Sequence, residues 1–222
     1  MKFLGYDKVL CLSPHPDDVE YSMLGTIIKC HDTFFTVLCL TGGGTKCLKG
    51  SCTNSGKDVD RRQEVLNCWA DAGISNVEVI FSDCQYLEDK DRDPGWISYL
   101  EENYIKESNY DCLMIPPQHD SQFEHRFVNQ LGAGLLRHHA ISIVEYQTPS
   151  TLNSWNANTF VIIDSEYNKK TKCLMNFKSQ LKKSYFLEQA FDSFHINFQC
   201  VKKRLNKVEQ YRIVEFFMKD KK

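Results

Sequence analysis

The sequence has no excess of charge of either sign and no apolar run long enough to cross a membrane. Its 27 basic and 29 acidic side chains leave a formal net charge of -2. Proteins that bind nucleic acid or anionic membranes through their overall charge usually carry a strong basic balance, and a membrane span needs a run of ~20 apolar residues. Neither nucleic acid nor a membrane is therefore predicted as a partner.

The ten cysteines include no Cys-x-x-Cys pair, so neither a zinc knuckle nor a thioredoxin-like redox motif is predicted. Cys11, Cys39 and Cys112 lie in apolar runs typical of buried strands, where a thiol packs as a small hydrophobe. Asp7 and Lys8 interrupt the apolar residues of the N-terminal segment, which does not resemble a signal peptide. We expect a cytoplasmic protein with reduced thiols.

Short apolar runs alternate with helix-like segments along most of the chain. The predicted strands are Lys8–Ser13, Phe34–Leu40, Asn76–Phe81, Asp111–Ile115, Ile141–Gln147, Thr159–Asp164 and Arg212–Phe217. The predicted helices are Tyr21–Cys30, Asp58–Ala72, Trp96–Ile105, Glu124–His138 and Asn168–Phe186. Apolar strands separated by helices are typical of a parallel sheet that is buried on both faces.

We predict one domain over residues 1–222, a length that suits a single core. Its class is α/β: a Rossmann-like, doubly wound, mostly parallel sheet with helices on both faces and an added C-terminal strand and helix. Thr45–Lys57 is predicted to be a polar surface loop. The glycines at Gly42–Gly44 lack the spacing of phosphate-binding loops, so nucleotide binding is not predicted.

Two polar clusters follow the first and fourth predicted strands, where ligands bind in open α/β sheets. They are Ser13–Glu20 and His119–Arg126. His15 and Asp18 are three positions apart and share one face if a helix begins there. His125 would add a third ligand from the second cluster, as an open catalytic metal site requires.

The ligand types in these clusters favour zinc, although another divalent transition metal would also fit. Asp17 would lie beside the metal and could take a proton from an attacking water. A different interpretation is that Asp17 and Asp18 are only a helix cap and a first-turn carboxylate, and that His125 is a surface residue at a helix start. Spacing alone leaves both interpretations open.

The first cluster closely resembles the opening motif, P-H-P-D-D-x-E, of the PIG-L/LmbE-like zinc-dependent N-deacetylases. It reads Pro14-His15-Pro16-Asp17-Asp18-Val19-Glu20 and is followed by Gly25-Thr26. Arg61 and Glu64 resemble the R-x-x-E of this family, and Gly73 resembles its closing glycine. Asp83 resembles an Asp in the loop after strand three, and the second cluster resembles D-x-H-x-D-H-R.

This resemblance implies a Rossmann-like fold and a zinc ion held by His15, Asp18 and His125, with Asp17 as the general base. It further implies that N-acetylated amino sugars are the substrates. Arg61, Asp83 and Asp120 would be the residues that bind the substrate.

One departure from the family pattern concerns the second cluster. Gln122 occupies the position of a family His, and Glu124 that of an Asp. A Gln amide can donate a hydrogen bond to an oxyanion, but it cannot carry a proton to the leaving amine. Either Asp17 makes both proton transfers, or His119 replaces the missing His, or the chain is slow or inactive.

We therefore expect a hydrolase that removes an N-acyl group, most simply acetyl, from an amino sugar or sugar conjugate. The rival interpretations are a hydrolase of another amide or carbamoyl substrate, a metal-binding but catalytically impaired sugar-recognition protein, and an α/β interaction domain without metal. The sequence leaves the oligomeric state open between a monomer and a homo-oligomer.

Overall fold

The computed structural model describes residues 1–43, 61–82, 84, 87, 94–106, 108–136, 139, 141–196 and 206–217. The predicted loop Thr45–Lys57 and the predicted site residue Asp83 lie outside these ranges. None of the helices in the described parts combines the length and apolar character needed to cross a membrane.

Within the described ranges, seven strands form one sheet in the order β3-β2-β1-β4-β5-β7-β6. The strands are β1 Lys8–Ser13, β2 Phe34–Cys39, β3 Val77–Phe81, β4 Cys112–Ile115, β5 Ser142–Tyr146, β6 Thr159–Ile162 and β7 Val208–Glu215. The first five run parallel, and β7 runs antiparallel to both β5 and β6. The mostly parallel sheet with a C-terminal addition is confirmed, although β7 begins at Val208 rather than Arg212.

Six α-helices accompany this sheet in the described residues. They are α1 Asp18–Lys29, α2 Arg61–Ala72, α3 Pro94–Leu100, α4 Phe123–Leu135, α5 Tyr167–Leu174 and α6 Glu188–Phe194. A π-helical turn, Glu101–Ile105, extends α3. Gly73 ends α2 with φ at 56°, the left-handed conformation common just after a helix.

The two faces of the sheet carry separate apolar cores, as the doubly wound prediction requires. Along β1, Val9 and Cys11 pack in the core that contains α1, α2, α5 and α6, whereas Leu10 and Leu12 pack in the core that contains α3 and α4. All four side chains are fully buried. This alternation follows from the two-residue period of a strand, and it places helices on both faces.

The predicted long helix Asn168–Phe186 was wrong beyond Leu174. Turns follow α5, and a short 3-10 turn occupies Ser184–Phe186. Glu64 of α2 accepts hydrogen bonds from the Ser179 backbone N–H (2.8 Å) and hydroxyl (2.6 Å). Ser side chains favour such non-helical hydrogen bonds. The contact of Ser179 with α2 therefore competes with a continuation of α5.

The strand order places a topological switch point between β1 and β4. The chain proceeds from β1 outward to β2 and β3 on one side, and from β4 to β5 on the other. Both predicted polar clusters follow the carboxyl ends of these two central strands. Ligands in open α/β sheets bind at this position.

Candidate active site

His15, Asp18 and His125 converge above the carboxyl ends of β1 and β4. Each offers one nitrogen or oxygen ligand atom, and these three atoms all lie within 4.8 Å of one another. Asp18 lies between the two histidines, with Oδ2 3.0 Å from His15 Nδ1 and Oδ1 3.3 Å from His125 Nε2. The structure thus brings together the three residues that the sequence analysis named as ligands.

The His125 side chain tests whether this cluster fits a metal. It is fully buried, and its Nδ1 lies 3.1 Å from Asp120 Oδ2. In the neutral imidazole, with the Nδ1 proton donated to that carboxylate, Nε2 carries the lone pair and faces Asp18 Oδ1. This nitrogen is buried and has no hydrogen-bond partner among the described residues. A lone pair facing a carboxylate calls for a cation between them, and two imidazoles with a carboxylate suit zinc or a similar divalent ion.

The charges around His125 favour a cation at the same place. Burial acts to lower the pKa of His125, but Asp18 and Asp120 outweigh it and raise the pKa to about 10. Burial likewise acts to raise the pKa of Asp18, and His125 and His15 hold that pKa well below its ordinary value. The site therefore stabilises positive charge next to an ionised carboxylate.

Asp17 precedes α1 at the N-cap position, yet its side chain makes no capping hydrogen bond. Its backbone has φ at 143°, a conformation that L-amino acids avoid and that is typically retained at functional sites. Its carboxylate Oδ1 lies 2.9 Å from Arg61 Nη2, and both side chains are almost completely buried. The carboxylate is therefore free of the helix end and held by a guanidinium.

Burial is the largest influence on the Asp17 carboxyl and raises its pKa, and Asp18 adds to this effect. Arg61 and His15 act in the opposite direction, but the pKa of Asp17 remains above its ordinary value. A carboxyl group with a raised pKa is better matched to proton transfer near neutral pH than an ordinary one.

The guanidinium of Arg61 is engaged by contacts within the chain, and its predicted contact with substrate stays a prediction. Its guanidinium donates to the carbonyl oxygens of Pro16 (2.6 Å) and Gly43 (2.8 Å) in addition to pairing with Asp17. Gly43 has φ at 77°, and a Cβ atom there would lie 2.2 Å from Arg61 Nη1. The glycine therefore permits the close approach by which Arg61 holds the Asp17 loop.

Asp120, which was predicted to bind substrate, has a fully buried side chain. Oδ1 accepts a hydrogen bond from the Gln122 backbone N–H at 2.8 Å. Oδ2 accepts from the Thr148 hydroxyl at 2.5 Å and faces His125 Nδ1. Asp120 thus orients His125, a role that the position of a carboxylate just before a ligand histidine could have indicated.

A pocket opens beside these residues. Its described lining consists of Asp17, Asp18, Tyr21, Gln122, Pro149, Ser150 and Tyr185. The exposed Gln122 side chain donates from Nε2 to Ser150 Oγ at 3.4 Å. His119 is absent from this lining, and its Nδ1 lies 2.9 Å from Ser154 Oγ.

Four of these lining residues were not predicted from the sequence. Pro149 and Ser150 follow β5 at the same sheet edge, so strand order could have indicated them. Tyr21 lies in α1 beside the first motif. Nothing in the local sequence around Tyr185 indicates the pocket, because a distant segment of the chain brings it there.

A family model described as "PIG-L: GlcNAc-PI de-N-acetylase" matches residues 10–135, more than half of the chain. The chain belongs to the PIG-L family. Membership supports a deacetylase-type hydrolase, and the matched range contains His15, Asp18 and His125. No curated protein matches the chain.

Solved structures similar to this PIG-L chain include deacetylases and one enzyme of different chemistry. N,N'-diacetylchitobiose deacetylase from Pyrococcus horikoshii has a TM-score of 0.71 at 20% identity, covering 96% of this chain and 85% of that one. The zinc-inhibited form of teicoplanin deacetylase Orf2 has a TM-score of 0.64 at 12% identity, covering 93% and 98%. GalB, the 4-carboxy-2-hydroxymuconate hydratase from Pseudomonas putida, has a TM-score of 0.67 at 14% identity, covering 97% and 99%.

At these identities the likeness shows the shared fold. Because that fold carries both deacetylases and a hydratase, the activity of this PIG-L protein has to be argued from its own site.

Proposed function

We propose that this protein is a metal-dependent N-deacetylase that hydrolyses the N-acyl group, most simply acetyl, of an amino sugar or sugar conjugate. The observation that carries the proposal is the convergence of His15, Asp18 and His125, whose three ligand atoms lie within 4.8 Å of one another. They lie at the pocket that Asp17 also lines. PIG-L membership supports the same reaction class. The small-molecule sugar substrate is proposed on that membership.

His15, Asp18 and His125 would hold the divalent ion, for which zinc is the first choice. When bound, such an ion polarises a carbonyl and lowers the pKa of a coordinated water. Asp120 holds the Nδ1 side of His125 and so fixes which nitrogen faces the ion.

Asp17 is the proposed general base. Arg61 holds its Oδ1, so the carboxylate keeps one orientation at the edge of the pocket. As water adds to the amide carbon, Asp17 accepts one of its protons, and the carbon–oxygen bond forms. Asp17 then delivers that proton to the amide nitrogen as the carbon–nitrogen bond breaks, which releases acetate and a free amine.

Gln122 is the proposed oxyanion donor, because its exposed amide lines the pocket beside Asp18. Its amide N–H can donate a hydrogen bond, but it cannot transfer a proton to the leaving nitrogen. His119 is an unsuitable replacement, because its Nδ1 is engaged with Ser154 and it is not part of the described lining. These contacts favour Asp17 as the group that makes both proton transfers.

The seven cysteines within the described residues are all buried thiols. This supports the expectation of a protein that works in a reducing compartment such as the cytoplasm.

The direct test uses purified protein loaded with zinc and a panel of N-acetylated amino sugars and their conjugates. Acetate and primary amine should appear in equal amounts. Binding of a sugar without release of either product would favour the sugar-recognition rival. Release from a carbamoyl or non-sugar amide alone would favour the other hydrolase. Either result would overturn the proposal.

A further inference from the structure

Two of the residues that line the pocket beside Asp17 are aromatic. Tyr21 and Tyr185 line the pocket together with polar groups that include Gln122 and Ser150. Tyr21 is only 2% exposed, whereas Tyr185 is partly exposed. Tyr185 is therefore the aromatic side chain with surface left for a ligand.

The chain's own contacts fix the position of the Tyr185 ring. Tyr21 packs against it with the ring centroids 5.8 Å apart and the planes at 79°, and Phe186 lies 5.2 Å away by the same measure. The Tyr21 hydroxyl donates to the Tyr185 carbonyl oxygen at 2.6 Å, and the Tyr185 hydroxyl donates to Gln180 Oε1 at 3.3 Å. A ring held from several sides loses little conformational freedom when it binds a ligand.

We propose that Tyr185 stacks against the sugar ring of the substrate and selects for it. This inference rests on the proposed deacetylase function and names the residue that recognises the sugar. A pyranose presents a face of C–H groups, which is apolar and slightly positive, and the face of a tyrosine ring is negative. Covering that face removes apolar area from water, which favours binding.

Lys183 lies near the same ring, with Nζ 5.6 Å from its centroid. This separation approaches the ~6 Å limit of a cation–π contact, so the contact is weak. Displacing the ammonium by a sugar ring therefore costs little.

The kinetic test compares N-acetylglucosamine with N-acetylethanolamine, an acetamide that has no ring. The Tyr185→Ala variant should lower kcat/KM for the sugar about tenfold, mainly through KM, a loss worth about 1.4 kcal/mol. Turnover of the ring-less amide should stay within about twofold, and Tyr185→Phe should keep the sugar preference. An equal loss on both substrates, or no loss on the sugar, would overturn the proposal.

Tyr185→Leu covers the case in which the alanine variant does not fold. It keeps an apolar side chain in the pocket lining, and it should lose the sugar preference as Tyr185→Ala does. If Tyr185→Leu keeps that preference, the aromatic face is not the recognising feature.

A binding measurement makes the test independent of turnover. In the zinc-loaded Asp17→Asn protein, saturation-transfer NMR with N-acetylglucosamine should mark the protons of one sugar face more strongly than the other. Adding Tyr185→Ala should abolish that difference, and a pattern that is equal on both faces or unchanged in the double variant contradicts stacking. Face-selective contact without any deacetylation by the wild type would contradict the proposed function but support stacking on Tyr185. Deacetylation with no sugar-selective effect of the Tyr185 variants would support the proposed function but contradict stacking.

Discussion

At the scale of single residues, the Asp17 carboxylate is held at the edge of the pocket by the fold around it. Its strained φ of 143° costs of the order of 1–3 kcal/mol and persists only where surrounding contacts impose it. Arg61 supplies such contacts by binding the Asp17 carboxylate and the Pro16 carbonyl together. The strained backbone therefore lies in a loop whose conformation sets the position of the Asp17 carboxylate.

Replacing Asp17 by Asn should reduce kcat by about 10²–10⁴-fold, because the amide cannot accept the proton of the attacking water. Zinc stoichiometry should be unchanged, since Asp17 is not among the proposed ligands. Steady-state kinetics with metal analysis of the same sample would check both statements. Asp32→Asn, which alters an exposed carboxylate, is the matched control, and a variant at position 17 that retains wild-type turnover contradicts the general-base role.

Replacing Asp120 by Asn should weaken zinc binding about 10–100-fold, as is typical when the partner of a ligand histidine is removed. The neutral amide no longer stabilises the Nδ1 proton of His125 with a negative charge. Competition with a chelator of known affinity would measure the change. Unchanged affinity would show that Asp120 does not act through His125.

At the scale of secondary structure elements, a buried ion pair connects α5, β7 and α1. Lys170 Nζ lies 2.5 Å from Glu209 Oε1, and neither side chain is exposed. Glu209 also accepts the backbone N–H groups of Gly25 (2.9 Å) and Thr26 (2.6 Å). A Cβ atom on Gly25 would lie 3.0 Å from Glu209 Oε1 and 2.8 Å from Ile163 Cδ1. This crowding explains why glycine stands at this position of the helix that begins with Asp18.

Lys170→Met should lower the free energy of unfolding by about 3–5 kcal/mol, because it leaves the Glu209 carboxylate buried without its cation. Adding Glu209→Gln should recover part of that loss by removing the charge while keeping a hydrogen-bond acceptor. Urea unfolding would measure both variants. The exposed neighbour in the same helix, Lys169→Met, is the control. A loss below about 1 kcal/mol for Lys170→Met would contradict this account of the pair.

The sequence predicted the elements that local patterns define. The first five strands are apolar runs ended by turns, and their predicted bounds lie within two residues of those observed. The cluster of His15, Asp18 and His125 could also be predicted, because parallel strands place their carboxyl ends at one edge of the sheet. The end of α5 could not be predicted, since it depends on the contact between Ser179 and Glu64. The roles of Arg61 and Tyr185 likewise depend on residues far away in the chain.

At the scale of the whole molecule, the stability should depend on pH through His195. This side chain is fully buried, and its Nδ1 donates to the Phe191 carbonyl at 2.7 Å. Burial lowers its pKa to about 2, and Lys170 adds to the effect. In the unfolded chain the ordinary value is about 6.5. Between these two values the unfolded chain binds more protons than the folded one, so stability falls as the pH falls below about 6.5.

Because of His195, the free energy of unfolding should be about 2 kcal/mol lower at pH 5 than at pH 8. His195→Gln removes the titrating group and should flatten this part of the profile. Urea unfolding at several pH values between 5 and 8 would compare the two proteins. Parallel profiles would show that His195 does not carry the dependence.

The proposed function depends on one divalent ion held jointly by His15, Asp18 and His125 where β1 and β4 end. An equilibrium zinc titration of the metal-free protein, with elemental analysis of the product, measures whether that ion binds. We expect one tightly bound ion per chain, lost in His125→Gln and retained in His31→Gln, which alters an exposed histidine. A wild-type protein that takes up no stoichiometric zinc or other divalent metal, or a His125→Gln variant that binds it as tightly, would contradict the account.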